Sequence, residues 1–474
     1  MQYNDGVKRI MASPWFSSMV LGGIIMAVYA GAWSGDFQFD DSHSILHNPH
    51  LEGWRTFVGH LGHMVRPVLY GTFLVDRSFF GNAATGYHAL NLFLHLGSGF
   101  LICGILSRAV PEDSHHVPFW TALLFLVHPI QTETITYISG RASGLMAFFY
   151  LLGLLLYIEG TASRDKTVTS RRSLLGAVLA FILALGTKET AMTFPVALLL
   201  WDLLIRRLDL RELRTTFVSR HLSFWLVLLA IATWAWWHPR YAALVQFSFD
   251  LRPFGANLLS EVHAGMYALW LFVAPWRQSF DHDLPQIHSL IQWPLPLELV
   301  VFGGLTIVAV ATDRRIPLVT FGIAWYWLQL GPMMLISRND LLSERNLYLA
   351  SFGILLVGVM LVSHLIRVVI DGLPRPALLR AAVGGLTIVV VLALCVGTVQ
   401  RNALYRDPLL LWSDAVEKAP QKARPHNNLG HTYAERGDWE QAIEHFRKAA
   451  QLDPDYVVAQ ENLRDAYLHH VGRQ

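Results

Sequence analysis

Of the chain's 474 residues, 53% are hydrophobic and 15% charged, and the mean hydropathy is +0.37. A soluble domain carries about a quarter charged residues, so this composition excludes an ordinary soluble enzyme and a disordered protein. A net charge of +2 leaves no whole-chain field for nucleic acid. Cys103 and Cys395, the two cysteines, both sit in apolar runs, which excludes a disulfide framework and a cysteine zinc site. The expected class is an all-α polytopic membrane protein.

A bilayer core of about 30 Å takes about 20 apolar residues in a helix. In chain order the candidates are Trp15–Trp33, His88–Leu106, Val117–Val127, Ser143–Tyr157, Leu174–Thr187, Thr190–Ile205, Leu222–Trp237, Leu258–Ala274, Leu297–Ala311, Ile316–Ile336, Asn346–Ile366 and Ala381–Val399. The first reads as a span rather than a signal peptide, because no small-residue cleavage site follows it and further spans do. Basic residues in short loops set orientation. Lys8 and Arg9 place the N-terminus in the cytoplasm. So do the loop of Arg164, Lys166, Arg171 and Arg172 and the loop of Arg206, Arg207, Arg211, Arg214 and Arg220 for their own positions. Arg314, Arg315, Arg367, Arg375 and Arg380 obey the same rule only if Leu258–Ala274 is interfacial, re-entrant or a hairpin. Its Glu261 and His263, costly at mid-bilayer, agree. About eleven spans are therefore expected, with the C-terminus outside.

The membrane domain is expected over residues 1–400 and a soluble helical tail over 401–474. In the tail, Asn428-Leu429-Gly430, Tyr433, Gly437, Ala442, Phe446, Ala449 and Pro454 have the spacing of a 34-residue tetratricopeptide repeat. Pro420, Trp412 and Ala415 lie one period earlier, and Leu463 and Tyr467 one period later, so one full repeat is flanked by two halves. Three repeats make a free-standing solenoid, so this tail is expected to lean on the membrane domain. It either caps the last helix or docks an acceptor protein.

Several polar groups stand out at outward helix ends. Asp40 and Asp41 follow the first helix; they are either a solvated loop with a helix cap or a general base at the membrane surface. His88 and His95 share a helix face with Asn91 and suggest a polar seam. Arg66, His128, Glu133, Arg141, Lys188, Glu189, Glu344 and Arg345 flank other outward ends. Arginine and lysine there either snorkel to headgroups or clamp a phosphate. Each of three cations has an acid near it in sequence, Glu133 by Arg141, Glu189 by Lys188 and Glu344 by Arg345, which points to ion pairs around an anion site. Arg345 is the first choice, flanked by Glu344 and Tyr348. Asp281, His282 and Asp283 have the spacing to hold a cation, but read better as turn-forming acids. Nucleotide-binding loops, nucleophile elbows and zinc-protease helices have no counterpart in the sequence.

Taken in order, Asp40-Asp41, Arg66-Pro67-Val68, Gly86-Tyr87-His88 through His95, Val127-His128-Pro129-Ile130-Gln131-Thr132-Glu133, Ser139-Gly140-Arg141, Lys188-Glu189, Asp281-His282-Asp283-Leu284-Pro285 and Glu344-Arg345-Asn346-Leu347-Tyr348 resemble bacterial relatives of the TMTC proteins, from about residue 10 to 470. These are membrane protein O-mannosyltransferases of the GT-C class with C-terminal tetratricopeptide repeats. The resemblance implies sugar transfer, with mannose as the sugar it suggests, from a polyprenyl phosphate to an acceptor hydroxyl. It makes Asp40 or Asp41 the base and Arg66, Arg141, Lys188, Arg345 and Tyr348 the donor-phosphate site. The tail is much shorter than in the animal proteins.

One base and a cation-matched phosphate leaving group give inversion at the anomeric carbon; retention would need a second carboxylate as nucleophile. The expected protein is thus a bacterial inner-membrane glycosyltransferase with its tail in the periplasm. Its partners are a lipid-linked sugar, membrane lipids and a protein Ser/Thr acceptor, with no nucleic acid, no cofactor and no metal. The alternatives are a lipid or cell-wall glycan acceptor, or a non-enzymatic transporter or scaffold.

Overall fold

A computed structural model describes residues 14–111, 114, 116–162, 168–368 and 376–471. Lys8, Arg9, Arg164, Lys166 and Arg375, used above for orientation, lie outside the described residues. Those residues form helices and turns, without strands. The principal helices are α1 (Pro14–Val28), α2 (Pro67–Phe80), α3 (Ala84–Leu106), α4 (His116–Val127), α5 (Arg141–Ala162), α6 (Val168–Leu185), α7 (Phe194–Leu200), α8 (Leu222–Trp237), α9 (Pro239–Leu251), α10 (Phe254–Val273), α11 (Leu295–Thr312), α12 (Pro317–Leu335), α13 (Tyr348–Val368), α14 (Pro376–Leu404), α15 (Pro408–Lys418), α16 (Ala423–Glu435), α17 (Trp439–Leu452) and α18 (Val457–Val471).

Among the described residues, seven helices are long and apolar enough to cross a membrane: Ala84–Leu106, Ile138–Ala162, Leu210–Trp237, Leu295–Thr312, Pro317–Leu335, Tyr348–Val368 and Ala377–Leu404. Ser18–Val28 and His116–Val127 are shorter apolar helices. The protein is a multi-pass membrane protein; among the described residues length and composition alone give seven candidate spans, against about eleven expected. α6 opens on Arg171 and Arg172, and α7 runs into a π-turn over Trp201–Ile205. Both features shorten the apolar run.

One large buried cluster joins α1, α3, α4, α5, α6, α7, α8, α12, α13 and α14, and includes Tyr150, Phe181, Phe194, Trp325 and Phe352. Small residues let helices close on one another where side chains cannot be accommodated. α12 and α13 cross at Gly322 and Gly353, where a Cβ on Gly322 would stand 2.6 Å from the Gly353 carbonyl.

α10 is one continuous helix of 20 residues, so the hairpin reading of this segment is wrong. Near its start, Asn257 donates to the carbonyls of Met333 (3.2 Å) and Met334 (3.0 Å), at the C-terminal end of α12. Near its finish, the Phe272 carbonyl lies 3.1 Å from His128 Nε2, at the C-terminal end of α4. Both ends thus meet the same end of the bundle, and α10 lies across that end. Its His263 pairs with Glu298 at 2.8 Å.

The tail sits at that same end. α16 and α17 are the helix pair of the complete repeat; α15 precedes them and α18 follows. Asp438 caps α17 by accepting from the Gln441 amide. Gly430 allows the close approach of α16 and α17, since a Cβ there would be 2.8 Å from the Phe446 ring. The tail leans on the rest of the chain through buried Asp281, which takes Lys422 (2.6 Å) and Arg424 (2.7 Å). Arg424 also reaches Asp340 at 2.9 Å. Asp281 is therefore a clamp for the tail. His282 pairs with Glu344 at 3.0 Å, and Asp283 is exposed. The triplet does not converge as ligands, and no group of three or more potential metal ligands occurs among the described residues.

Candidate active site

The loop after α1 turns sharply at Phe39, whose φ of 43° is left-handed. That turn sends the two neighbouring aspartates in opposite directions. Asp41 goes inward and is fully buried. Its carboxylate accepts from the Gln38 amide (2.8 Å), the Ser139 amide (2.7 Å) and the Ser139 hydroxyl. Burial pushes its pKa up to about 7, with the Ser139 and Gln38 hydrogen bonds opposing. Asp40 goes outward. Its side chain is 45% exposed, its amide donates to Tyr137 Oη at 3.1 Å, and its carboxylate lines a cavity.

The cavity has a volume of about 110 Å³ and is open at one side. Arg66, Lys188, Arg338 and Arg345 line it together with Asp40, Ser44, Tyr70, Ser139 and Ser143. Arg66 sits at the start of α2, tied to the Lys188 turn by the Val68 amide on the Gly186 carbonyl (3.0 Å). Its guanidinium forks onto Glu189 at 3.1 and 2.8 Å. Although burial opposes it, Arg66 holds the Glu189 carboxyl down at about 2. Lys188 is buried and donates to two neutral acceptors, Ser143 Oγ and Asn346 Oδ1, both at 2.8 Å. Burial, then the charges of Arg338, Arg345 and Arg66, push its pKa well below the usual lysine value.

Arg345 is held from behind. Glu133, 2% exposed, accepts the Arg345 amide at 3.0 Å and lies 3.5 Å from its Nε, while Ser343 donates to the same carboxylate at 2.9 Å. The guanidinium stacks 5.6 Å from the Tyr137 ring and comes within 3.9 Å of Asp40. Arg338 has no carboxylate within ion-pairing distance among the described residues. Three arginines and Lys188 therefore line the cavity, with Asp40 on its wall and Glu189 and Glu133 holding two of the arginines, a basic lining that suits a phosphate.

Three of the four cations expected at a phosphate meet here: Arg66, Lys188 and Arg345. The fourth does not. Arg141 is buried behind the cavity, paired with Asp76 at 2.6 Å and bonded to Asn91 (2.7 Å) and the Tyr87 carbonyl (2.9 Å). Its charge is already matched and its fork is filled. The ion pairs read from sequence neighbours are also re-partnered. Glu189 serves Arg66, Glu133 serves Arg345, and Glu344 turns away to Arg401 at 3.0 Å. Tyr348 does not orient Arg345; its hydroxyl meets His95 Nδ1 at 2.8 Å, inside the bundle. His88 bonds the Gly35 carbonyl (3.2 Å), and His128 bonds Phe272 and the Ile130 amide (3.1 Å). All of these are packing roles. Arg338 and Ser139 were not expected in the site. Ser139 stood beside Arg141 in a quoted motif; for Arg338 the sequence offers only a basic residue after an apolar helix.

Comparison with known proteins agrees with the resemblance read from these motifs. Residues 423–456 match the tetratricopeptide repeat family. The chain is 25% identical over 459 residues to a Caenorhabditis elegans protein O-mannosyl-transferase, covering 92% of this chain and 63% of that protein. It is 25% identical over 509 residues to protein O-mannosyl-transferase TMTC4 of Mus musculus, covering 94% of this chain and 67% of that one. The chain thus spans about two thirds of these relatives' length. Among solved structures, ArnT from Cupriavidus metallidurans bound to undecaprenyl phosphate superposes with a TM-score of 0.42 and 14% identity, over 95% of this chain and 78% of that one.

Proposed function

We propose that this protein is an inverting glycosyltransferase of the GT-C class, which moves a sugar, mannose in the first instance, from a polyprenyl phosphate to a protein Ser/Thr hydroxyl. The observation that carries the reading is one exposed carboxylate, Asp40, sharing the wall of a small cavity at the end of a membrane bundle with Arg66, Lys188, Arg338 and Arg345. The names of the relatives favour the same chemistry.

In this mechanism the donor phosphate sits among Arg66, Lys188, Arg338 and Arg345. Asp40 takes the proton of the acceptor hydroxyl, whose oxygen attacks the anomeric carbon from the face opposite the phosphate. The bond from that carbon to the phosphate oxygen breaks, and its electron pair leaves on the polyprenyl phosphate. The cations stabilise the negative charge that develops there. An approaching phosphate also favours the protonated form of Lys188, which the other cations disfavour at rest. Asp41 is held by its three donors and shapes the loop.

In this reading the site end faces the periplasm of a bacterial inner membrane. The opposite end carries Arg206, Arg207, Arg314, Arg315 and Arg367, as the positive-inside bias asks of a cytoplasmic face. The test is Asp40→Asn in full-length protein in nanodiscs, given polyprenyl-phosphate mannose and a Ser/Thr-rich peptide. Transfer should fall about 10²–10⁴-fold, with binding of undecaprenyl phosphate retained. Near-wild-type transfer would refute Asp40 as the base.

A further inference from the structure

The tail lies closer to the chemistry than a docking module needs to. Phe39, immediately before Asp40, holds a left-handed φ of 43°, a conformation that an aromatic residue keeps only where its surroundings over-determine it. Its ring packs edge-on against Trp412 of α15 at 5.4 Å and against Phe280 at 6.1 Å. Phe280 in turn meets Trp412 (5.2 Å), Tyr405 (5.9 Å) and Tyr137 (5.5 Å). Tyr137 takes the Asp40 amide, and the Tyr405 carbonyl takes Gln38 Nε2 at 3.1 Å. Three consecutive residues, 38 to 40, are thus each held by the tail or by the aromatic seam it completes. Asp281, next to Phe280, is where Lys422 and Arg424 lock the first helix of the full repeat.

We propose that the repeat tail is a positioning element for the base: Trp412 directly, and Tyr405 through Phe280, hold Phe39 in its left-handed turn while Tyr137 takes the Asp40 amide, and together they aim Asp40 into the cavity. The role rests on Asp40 acting as proposed above. A misplacement of about 1 Å can cost 10²-fold in rate, so the seam acts on kcat rather than on binding.

The experiment uses the full chain in nanodiscs and compares Trp412→Ala, Trp412→Phe, Phe39→Ala and the double variant Phe39→Ala/Trp412→Ala. Trp412→Ala and Phe39→Ala should each lower kcat about 10- to 100-fold. Donor and peptide KM, and the Kd for undecaprenyl phosphate, should stay within about twofold. Trp412→Phe should recover most of the rate. The double variant should be no slower than the worse single variant, because both break one contact. Phe39 lies outside the repeat core, so Phe39→Ala decides the matter if Trp412→Ala misfolds. An unchanged kcat, a change confined to peptide KM, or a multiplicative double variant would overturn the proposal; a KM effect alone would make the tail a docking site. Amide hydrogen exchange of residues 37–41 separates this from the sugar-transfer reading. If the wild-type protein transfers no sugar, faster exchange in Trp412→Ala still supports the coupling, and unchanged exchange refutes it.

Discussion

At Asp40 and Asp41 one backbone turn puts two identical side chains into opposite environments. Asp40 meets the cavity, where a base must reach a substrate; Asp41 meets three donors in the interior. Burial of Asp41 has a pH consequence. Its folded pKa of about 7 lies above its unfolded value of 3.8, so the folded state holds the extra proton between them. The stabilisation this gives is complete below about pH 4 and is lost as pH rises through 7. In detergent, the wild-type melting temperature should therefore drop between pH 5 and pH 8 by more than that of Asp41→Asn. Equal drops would contradict the assignment. Arg338, unpaired by any carboxylate among the described residues, should make its strongest bond to the donor. Arg338→Ala should weaken undecaprenyl phosphate binding about 10- to 100-fold, the scale of a lost charge-assisted hydrogen bond, as read by titration in nanodiscs. Arg141→Met should instead act on stability, because it strands the buried Asp76.

Among the helices, α12 and α13 bear most directly on the site. They cross at Gly322 and Gly353, and the segment between them carries both Arg338 and Arg345. Gly353→Leu forces the crossing apart and should cost about 1–3 kcal/mol of stability, the usual scale of overpacking. Thermal unfolding should show the loss, and donor binding should weaken with it because the two arginines no longer share one cavity. A stable variant with intact binding would show that the crossing does not set their spacing. The tail helices follow a different logic. Glycine at 430, Ala442 and Phe446 build the seam within the repeat, whereas α15 works on two sides: Leu411 packs with Tyr137 and Tyr405, and Trp412 packs with Phe280 as well as with Leu429 and Tyr433 of α16. A half repeat can be stable here because its open face is covered by residues 278–282 rather than by another repeat.

For the whole molecule, the decisive quantity is which end faces out. The cavity, α10 and the tail share one end, joined by Asp281 to Lys422 and by Glu344 to Arg401. The other end pairs Arg108 with Glu159 (2.5 Å), Arg206 with Asp202 (2.9 Å) and Arg207 with Asp313 (2.6 Å). In a background lacking Cys103 and Cys395, Gln460→Cys should react with an impermeant thiol reagent on cells whose outer barrier has been opened. A cysteine in place of Arg211 should react only after the inner membrane is broken. The reverse pattern would put the cavity in the cytoplasm and remove secreted proteins as acceptors.

The all-helical membrane class, the repeat at 423–456 and the clustering of Arg66, Lys188 and Arg345 at one end of the bundle were all legible in the sequence. Each rests on a local signal: an apolar run, a 34-residue period, a basic residue at a helix end. Partner choice was not legible, because it acts over long separations. Sequence neighbours suggested Glu189 for Lys188 and Glu344 for Arg345, yet a carboxylate adjacent in a turn points away from its neighbour. The actual partners are Arg66, 123 residues from Glu189, and Glu133, 212 residues from Arg345. The same reason hid the burial of Arg141 and the clamp at Asp281, whose neighbours are fixed only once the bundle and the tail have packed. The choice between Asp40 and Asp41 also belonged to the tertiary structure. Two adjacent aspartates are chemically the same until the left-handed turn at Phe39, held by aromatic rings from distant segments, buries one and exposes the other.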